Sequence, residues 1–208
     1  MLPFVVLVPV KPPVRGKSRL AGLPGDLRVA LATAFARDTI AAAQAARAVT
    51  EVMVVTDDHA FAAAVRETGC SVLPDGVTGS LNGSLVQAAA EARRRWPDCG
   101  VAALCGDLPA LVPGELSEAL GSVGAGPVFV ADHAGSGTTL YAVPPGLPFE
   151  PCFGPDSARA HHAAGATPVP GELASLRLDV DDAGDLGRAM LIGVGTHTSK
   201  VVGRTAGA

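Results

Sequence analysis

The stretch FVVLVPV, residues 4–10, runs directly into KPPVRGKSRL, residues 11–20. The first part is apolar and β-branched, which is typical of a strand buried in a sheet. The second part carries four cations within nine residues, Lys11, Arg15, Lys17 and Arg19, although the formal charge of the whole chain is −4. A local basic loop on an acidic chain predicts a site for a small anionic ligand.

Working outward from this strand, the chain alternates between apolar runs and alanine-rich helical stretches. Further apolar runs occupy residues 51–57, 100–106 and 126–132. The helical stretches cover roughly residues 25–47, 58–68 and 83–95, and another helix is expected to start near Pro113. Strand-helix-strand alternation predicts right-handed crossovers and a mostly parallel sheet with helices on both faces. The predicted fold class is therefore α/β, in a single domain.

The second half of the chain has shorter predicted elements. We expect strands at 138–143 and 176–181, a short helix at about 156–164 capped by Asp156 or Ser157, and a last helix at 183–191 with Asp182 as its N-cap. Residues 196–208 show no hydrophobic period and are predicted to be a flexible tail. The predicted domain thus covers residues 1–195, without an internal repeat or linker.

Composition excludes several classes of protein. Residues of the apolar types make up 48% of the 208 residues, which favours a packed domain. No apolar run reaches the roughly 18 residues that a membrane span needs, and no signal peptide is recognised, so we expect a cytoplasmic protein. The four cysteines form no C-x-x-C pair, which predicts free thiols and no zinc site. Aromatic residues are only 4%, which argues against nucleic-acid binding.

The basic loop allows four interpretations. It is not a P-loop, because Lys11 stands where the first glycine belongs and Pro12 and Pro13 lack the N–H groups that cradle phosphate. No G-x-G-x-x-G follows the strand, which argues against a nicotinamide site. A solvated surface loop is the plain alternative. Because ligands bind beyond the carboxyl ends of parallel strands, we favour a loop that holds a triphosphate through Lys and Arg side chains.

Candidate metal ligands lie near other strand ends. Asp107 follows an apolar run and precedes a proline turn, while Asp179 and Asp181 are two apart on a predicted strand and so face the same side. Magnesium prefers such carboxylate oxygens, and a bound cation would relieve their mutual repulsion. The alternatives are a turn-forming role for Asp107 and chance on an exposed edge strand for the other two. The histidines, including His133 and His161, are expected to be solvated or structural.

A possible anion pocket lies in the second half. Gly154 and Ser157 stand at the predicted start of a helix, whose first N–H groups and serine hydroxyl could bind a carboxylate or phosphate. Thr138 and Thr139 open the preceding strand and add hydroxyl groups. Taken alone, the same pattern describes an ordinary helix cap.

Six segments together carry a resemblance to a known family. In order they are VPVKPPVRGKSRL (8–20), GSLNGSL (79–85), GDLPAL (106–111), GSGTTL (135–140), FGPDSARAH (153–161) and LRLDVDDAGDL (176–186). Over residues 3–191 the chain resembles the guanylyltransferases that act on phosphoenolpyruvate or 2-phospho-L-lactate in biosynthesis of the deazaflavin coenzyme F-420. The resemblance implies a Rossmann-like nucleotidyltransferase fold of the glycosyltransferase-A type.

The resemblance also implies roles for individual residues. The basic loop from Lys11 would hold the GTP phosphates, with Lys17 and Arg19 most involved, and Asn82 would face the guanosine. Asp107, Asp179 and Asp181 would bind Mg²⁺, as two ions. Thr139, Gly154 and Ser157 would hold the carboxylate of the acid substrate. Asp107, Lys17 and Arg19 would be the catalytic residues. A hand-over of the product to the next transferase of the pathway is a further implication.

Two other functions stay open on the sequence. A related nucleotidyltransferase could use CTP or GTP with a sugar phosphate, a polyol phosphate or a molybdopterin precursor, and would lack the pocket of Thr139, Gly154 and Ser157. A nucleotide-binding regulatory domain without turnover would not need three metal carboxylates. The choice between phosphoenolpyruvate and 2-phospho-L-lactate, and the oligomeric state, do not follow from the sequence. A composition typical of a high-GC bacterial gene favours phosphoenolpyruvate.

Overall fold

A computed structural model describes residues 2–11, 23–77 and 79–205. Its strands are β1 (Phe4–Pro9), β2 (Val49–Val55), β3 (Ser71–Leu73), β4 (Gly100–Leu104), β5 (Val128–Ala131), β6 (Thr138–Val143) and β7 (Thr167–Pro168). Its helices are α1 (Gly25–Ala45), α2 (His59–Arg66), α3 (Leu81–Arg95), α4 (Pro113–Gly121), α5 (Ser157–Ala163), α6 (Ala174–Arg177), α7 (Ala183–Ile192) and α8 (Thr196–Thr205).

The described strands form one sheet in the order β3-β2-β1-β4-β6-β5-β7. β1 pairs in parallel with β2 and β4, and β2 pairs in parallel with β3. β6 is antiparallel to both of its neighbours, β4 and β5. Because it runs backwards, its first residues lie at the edge where β4 ends, and Cys105 donates its N–H to the Thr139 carbonyl at 2.8 Å.

The sheet is covered on both faces, as the continuous apolar strands predict. Along β1, Val6 and Val8 pack into a core with α1, α2 and α4, whereas Val5 and Leu7 pack into a second core with α3 and α5. All four of these side chains are 0% exposed. A strand buried on both sides needs apolar residues at every position, which is why β1 shows no polar alternation. The predicted mostly parallel α/β fold is confirmed.

The prediction of a strand over residues 176–181 is wrong. Residues 174–177 form the helical turn α6, because the Glu115 carboxylate of α4 accepts hydrogen bonds from the N–H groups of Ser175 and Leu176 at 2.9 and 3.0 Å. The chain then extends through residues 178–181 without joining the sheet. A backbone hydrogen bond from Val180 N–H to the Asp107 carbonyl, at 3.0 Å, joins this segment to the loop after β4.

The prediction of a flexible tail from residue 196 is also wrong over residues 196–205, since these residues form α8, which packs against α1; residues 206–208 lie outside the described residues. The buried carboxylate of Asp38 in α1 accepts the N–H groups of His197 and Thr198 at 2.9 and 2.8 Å. Both groups belong to the first turn of α8, where N–H groups have no partner within the helix. A β-carbon on Gly195 would lie 2.3 Å from the Asp38 carboxyl carbon, so the docking also requires a glycine at this position.

The described chain contains no helix long and apolar enough to span a membrane. The four cysteines, all within the described ranges, are free thiols, as predicted.

Candidate active site

Three predicted carboxylates come together at the edge of the sheet. One oxygen from each of Asp107, Asp179 and Asp181 lies within 4.8 Å of the other two, and all three residues are partly buried. Asp107 follows β4, while Asp179 and Asp181 flank the buried Val180 on the extended segment. The alternation predicted for a strand therefore holds in this segment, although the segment joins no sheet. The hydrogen bond from Val180 N–H to the Asp107 carbonyl aligns the two pieces of chain.

The three carboxylates repel one another. The pKa of Asp179 is raised from 3.8 to about 6, first because the group is buried and then because of the charges of Asp107 and Asp181. Asp132 contributes a smaller repulsion. A divalent cation bound among the three oxygens would turn this repulsion into attraction. Partly buried carboxylate oxygens at this spacing fit Mg²⁺, whose preferred ligands are hard oxygen atoms.

The backbone that carries Asp181 is fixed by a capping box at the start of α7. Asp182 accepts the N–H of Asp185 at 2.9 Å, and the Asp185 carboxylate accepts the N–H groups of Asp181 and Asp182, both at 3.1 Å. The predicted N-cap role of Asp182 is confirmed. Asp185 is buried at 4% exposure and is also paired with Arg188. Burial alone would raise the pKa of Asp185, but the hydrogen bonds from Asp181, Asp182 and Arg188 together lower it.

His133 is partly exposed, as expected, and it lies among charged side chains at the edge of the site. Its Nδ1 lies 3.9 Å from Asp179 and its Nε2 lies 3.7 Å from Asp185. The Arg188 guanidinium, which can only donate, lies 3.2 Å from Nε2. His133 therefore lies beside the carboxylates of Asp179 and Asp185. Only its position directly after Asp132, at a strand end, hinted at this in the sequence.

The loop between β5 and β6, residues 132–137, is shaped by Asp132. Its carboxylate accepts the N–H groups of Ser136 and Gly137 at 3.0 and 2.9 Å. A β-carbon on Gly137 would lie 2.4 Å from the same carboxylate, so a glycine is needed there. The turn thus presents Asp132 near the carboxylates of Asp107, Asp179 and Asp181 and leads directly into Thr138 and Thr139.

The predicted carboxylate pocket lies next to this turn. Thr139 is fully buried, with a long 3.5 Å contact from its hydroxyl to the Val130 carbonyl, and Ser157 is 2% exposed at the start of α5. The N–H of Ala158, in the same first turn, already donates to the Ser136 carbonyl at 3.1 Å. Gly154 has φ of +146°, which favours glycine. Asp156 stands at the N-cap position but its side chain caps no N–H group there.

Asn82 is held by the backbone of the neighbouring loop. Its amide nitrogen donates to the Phe153 carbonyl, and its amide oxygen accepts the Phe153 N–H, both at 2.9 Å. This reciprocal pair joins the start of α3 to the loop that carries Gly154. The predicted contact of Asn82 with guanosine stays a prediction, and the structure gives this side chain a loop-positioning role besides.

A buried histidine supports the same loop. His161 is 0% exposed and stacks on Tyr141 with ring centroids 4.6 Å apart. Its Nε2 accepts the N–H of Cys152 at 2.9 Å, and its Nδ1 is 3.0 Å from the Thr138 hydroxyl. Burial lowers the pKa of His161 to about 4, so the ring is neutral at physiological pH. The expectation of a structural histidine is confirmed here.

Lys11 lines a cavity of about 340 Å³ beyond the carboxyl ends of β1 and β2. The start of α3 closes one side of this cavity through Ser80, Leu81 and Ser84. Two carboxylates, Asp57 and Asp75, also line it. Arg15, Lys17 and Arg19 lie outside the residues that the structure describes, so their predicted contact with phosphate stays a prediction.

Comparison with known proteins gives a family. Residues 4–157 match the family model described as "Guanylyl transferase CofC like". The chain belongs to this family. Proteins named phosphoenolpyruvate guanylyltransferase from Thermomonospora curvata and Streptomyces avermitilis are 49% and 45% identical to it. The first match covers 98% of this chain and 90% of the relative, and the second covers 97% and 94%.

Solved structures support the fold of this guanylyl transferase family member. A protein described as a nucleotide-diphospho-sugar transferase from Desulfovibrio desulfuricans G20 superposes with a TM-score of 0.70 at 14% identity, over 99% of this chain and 96% of that one. A nucleotidyl transferase from Methanothermobacter thermautotrophicus gives 0.62 at 18% identity, over 90% and 95%. At these identities the likeness concerns the nucleotidyltransferase-like fold alone.

Proposed function

We propose that the protein transfers GMP from GTP to the phosphate of phosphoenolpyruvate, or of 2-phospho-L-lactate, and releases pyrophosphate, as a step of coenzyme F-420 biosynthesis. Membership of the guanylyl transferase family and the names of relatives that are 40–49% identical support the reaction. The observation that carries the proposal is the convergence of Asp107, Asp179 and Asp181 within 4.8 Å. They lie at the sheet edge that also bears the cavity beside Lys11.

The reaction needs positioning more than acid-base chemistry. A phosphate oxygen of the acid substrate attacks the α-phosphorus of GTP in line, a new P–O bond forms, and the bond to the leaving pyrophosphate breaks. The attacking phosphate is already largely dianionic at neutral pH, so no general base is required. This explains a site that is built from carboxylates and cations around two anionic substrates.

Three groups of residues have different roles in this reaction. Lys11, Lys17 and Arg19 hold the triphosphate of GTP and, with the metal carboxylates, orient its α-phosphorus. Thr139, Gly154 and Ser157 hold the carboxylate of the acid and aim its phosphate. Asp107, Asp179 and Asp181 hold Mg²⁺, as two ions. Bound magnesium supplies charge neutralisation on the phosphoryl oxygens and the leaving pyrophosphate.

The test is release of pyrophosphate from purified protein. GTP or CTP is offered with phosphoenolpyruvate, 2-phospho-L-lactate, a sugar phosphate or no acceptor, with and without Mg²⁺. We expect release only with GTP, Mg²⁺ and one of the two acids. Asp107→Asn and Asp181→Asn should abolish turnover with little loss of thermal stability, while Asp98→Asn, a change at an exposed position, should not. Turnover with CTP and a sugar phosphate, or an Asp107→Asn variant at the wild-type rate, would overturn the proposal.

A further inference from the structure

We propose that Asp75 selects guanine, by accepting hydrogen bonds from the N1–H and the 2-amino group of the base. The inference rests on the proposed function and names the part of the chain that would distinguish GTP from other nucleotides. It concerns the cavity beside Lys11, not the metal carboxylates.

The strand order places this cavity at the right distance from the reacting phosphorus. Asp107 follows β4, and Asp57 and Asp75 follow β2 and β3. In the sheet, β2 is two strand spacings from β4 and β3 is three, which corresponds to about 10 and 14 Å. In the proposed reaction the α-phosphate of the nucleotide lies beside the three carboxylates, and its phosphates meet the basic loop after β1. The base of such a nucleotide would then extend toward β2 and β3.

Asp75 is held firmly in the wall of the cavity. Its N–H donates to the Asp57 carboxylate at 2.8 Å, which fixes the turn after β3. Its Oδ1 accepts a hydrogen bond from the hydroxyl of Ser84, a residue 2% exposed in the first turns of α3. Each carboxylate oxygen can accept two hydrogen bonds. Across residues 2–11, 23–77 and 79–205, no donor to Asp75 Oδ2 is found, so both oxygens keep acceptor capacity for a ligand.

A carboxylate at this place has a clear electrostatic preference. It would repel the triphosphate, and is favourable beside the donor groups of the ribose and the base at the other end of the nucleotide. Guanine presents two adjacent N–H donors that match the two oxygens of one carboxylate. Adenine and cytosine present a donor next to an acceptor, and uracil presents one N–H between two carbonyls, so each would set an acceptor against the carboxylate. A binding site that requires a hydrogen-bond donor from its ligand strongly rejects ligands that lack this donor.

Asn82, which the resemblance assigns to guanosine, is less suited to this discrimination. Both polar atoms of its amide are already paired with the Phe153 backbone at 2.9 Å. An amide also presents a donor and an acceptor together, so it does not demand two donors from the base. Asp75 does.

The test compares GTP with ITP, which keeps N1–H but lacks the 2-amino group. For the wild type we expect kcat/KM to favour GTP by about 10–100-fold, the range for one hydrogen bond to a charged group. Asp75→Asn should lower kcat/KM for GTP by about the same factor and bring the GTP/ITP ratio to within about threefold. Asp98→Asn, at an exposed position, should leave the ratio unchanged.

Dissociation constants for GTP and ITP, measured by calorimetry without acid substrate, separate this inference from the proposed function. If no acid supports turnover, the proposed function fails, yet the binding ratio still tests Asp75. If Asp75→Asn does not fold, Ser84→Ala removes the hydrogen bond to Oδ1 and should reduce the GTP/ITP ratio in the same direction by about 3–10-fold. An unchanged GTP/ITP ratio in a folded Asp75→Asn variant would overturn the inference. If Asp75→Asn does not fold, an unchanged GTP/ITP ratio in Ser84→Ala would overturn it.

Discussion

Replacing Asp179 with asparagine should stabilise the metal-free protein while it destroys metal binding. The pKa of Asp179 is raised from 3.8 to about 6 by burial and by Asp107 and Asp181, which means that the charged form is disfavoured in the folded state. A rise of about 2 pKa units corresponds to ~3 kcal/mol of penalty against folding at neutral pH. The side chain is 23% exposed, so screening by solvent reduces the expected gain to about 1–2 kcal/mol.

The pH dependence follows from the direction of the shift. Above pH 6 the wild type bears the whole penalty, because Asp179 is charged in both the folded and unfolded states. Between pH 6 and pH 3.8 the folded state binds the proton first, so the penalty disappears as the pH falls. The stability difference between Asp179→Asn and the wild type should therefore be largest at pH 7–8 and vanish near pH 4.

The assay is thermal unfolding with EDTA and with Mg²⁺. In EDTA at pH 7.5 the variant should melt about 2–8 °C above the wild type, the shift that 1–2 kcal/mol gives in a chain of this size. Saturating Mg²⁺ should reverse the order, because only the wild type gains the free energy of metal binding. Asp98→Asn is the matched control. A variant that melts below the wild type in EDTA, or a difference that is the same at pH 4 and pH 8, would refute the electrostatic reasoning.

Three further predictions concern the rest of the fold and the acid pocket. Deleting residues 195–208 should lower the free energy of unfolding by about 2–5 kcal/mol in urea titrations, because Asp38 loses the two N–H groups that it accepts; an unchanged midpoint would contradict the docking of α8. The wild type should lose stability as the pH falls from 6.5 to 4, because over this range the unfolded chain binds a proton at His161 that the folded chain does not bind. His161→Gln should reduce this loss of stability by up to ~3 kcal/mol, whereas His162→Gln, at the exposed neighbouring position, should not change it. Ser157→Ala should raise KM for the acid about 10-fold and leave KM for GTP unchanged, as measured by initial rates of pyrophosphate release.

The sheet and most helices could be predicted because their signals are local. The residues of β1 alone indicate a buried strand. Pro113 indicates the start of α4 because its fixed φ angle suits the first position of a helix. The three-residue strand β3 was not predicted, since so short a run shows no hydrophobic period. As a result, Asp75, in the turn after β3, was not singled out.

The errors arose where distant residues decide the structure. Asp38 lies inside α1, and nothing near it in sequence indicates that it caps a helix about 160 residues later. Residues 176–181 alternate apolar and polar side chains as a strand would, but the remote carboxylate of Glu115 stabilises a helical turn over residues 174–177 instead. The convergence of Asp107 with Asp179 and Asp181 was nevertheless predicted, because it depends on strand ends and residue alternation rather than on the element type.

The reversed direction of β6 has a consequence for how the edge of the candidate site is built. A parallel link between β5 and its neighbour would need a crossover, usually a helix, that begins above this edge of the sheet. The antiparallel hairpin makes the connection with only residues 132–137. That part of the rim is therefore a short turn instead of a crossover helix, which leaves room for the first turn of α5 to pack directly against it.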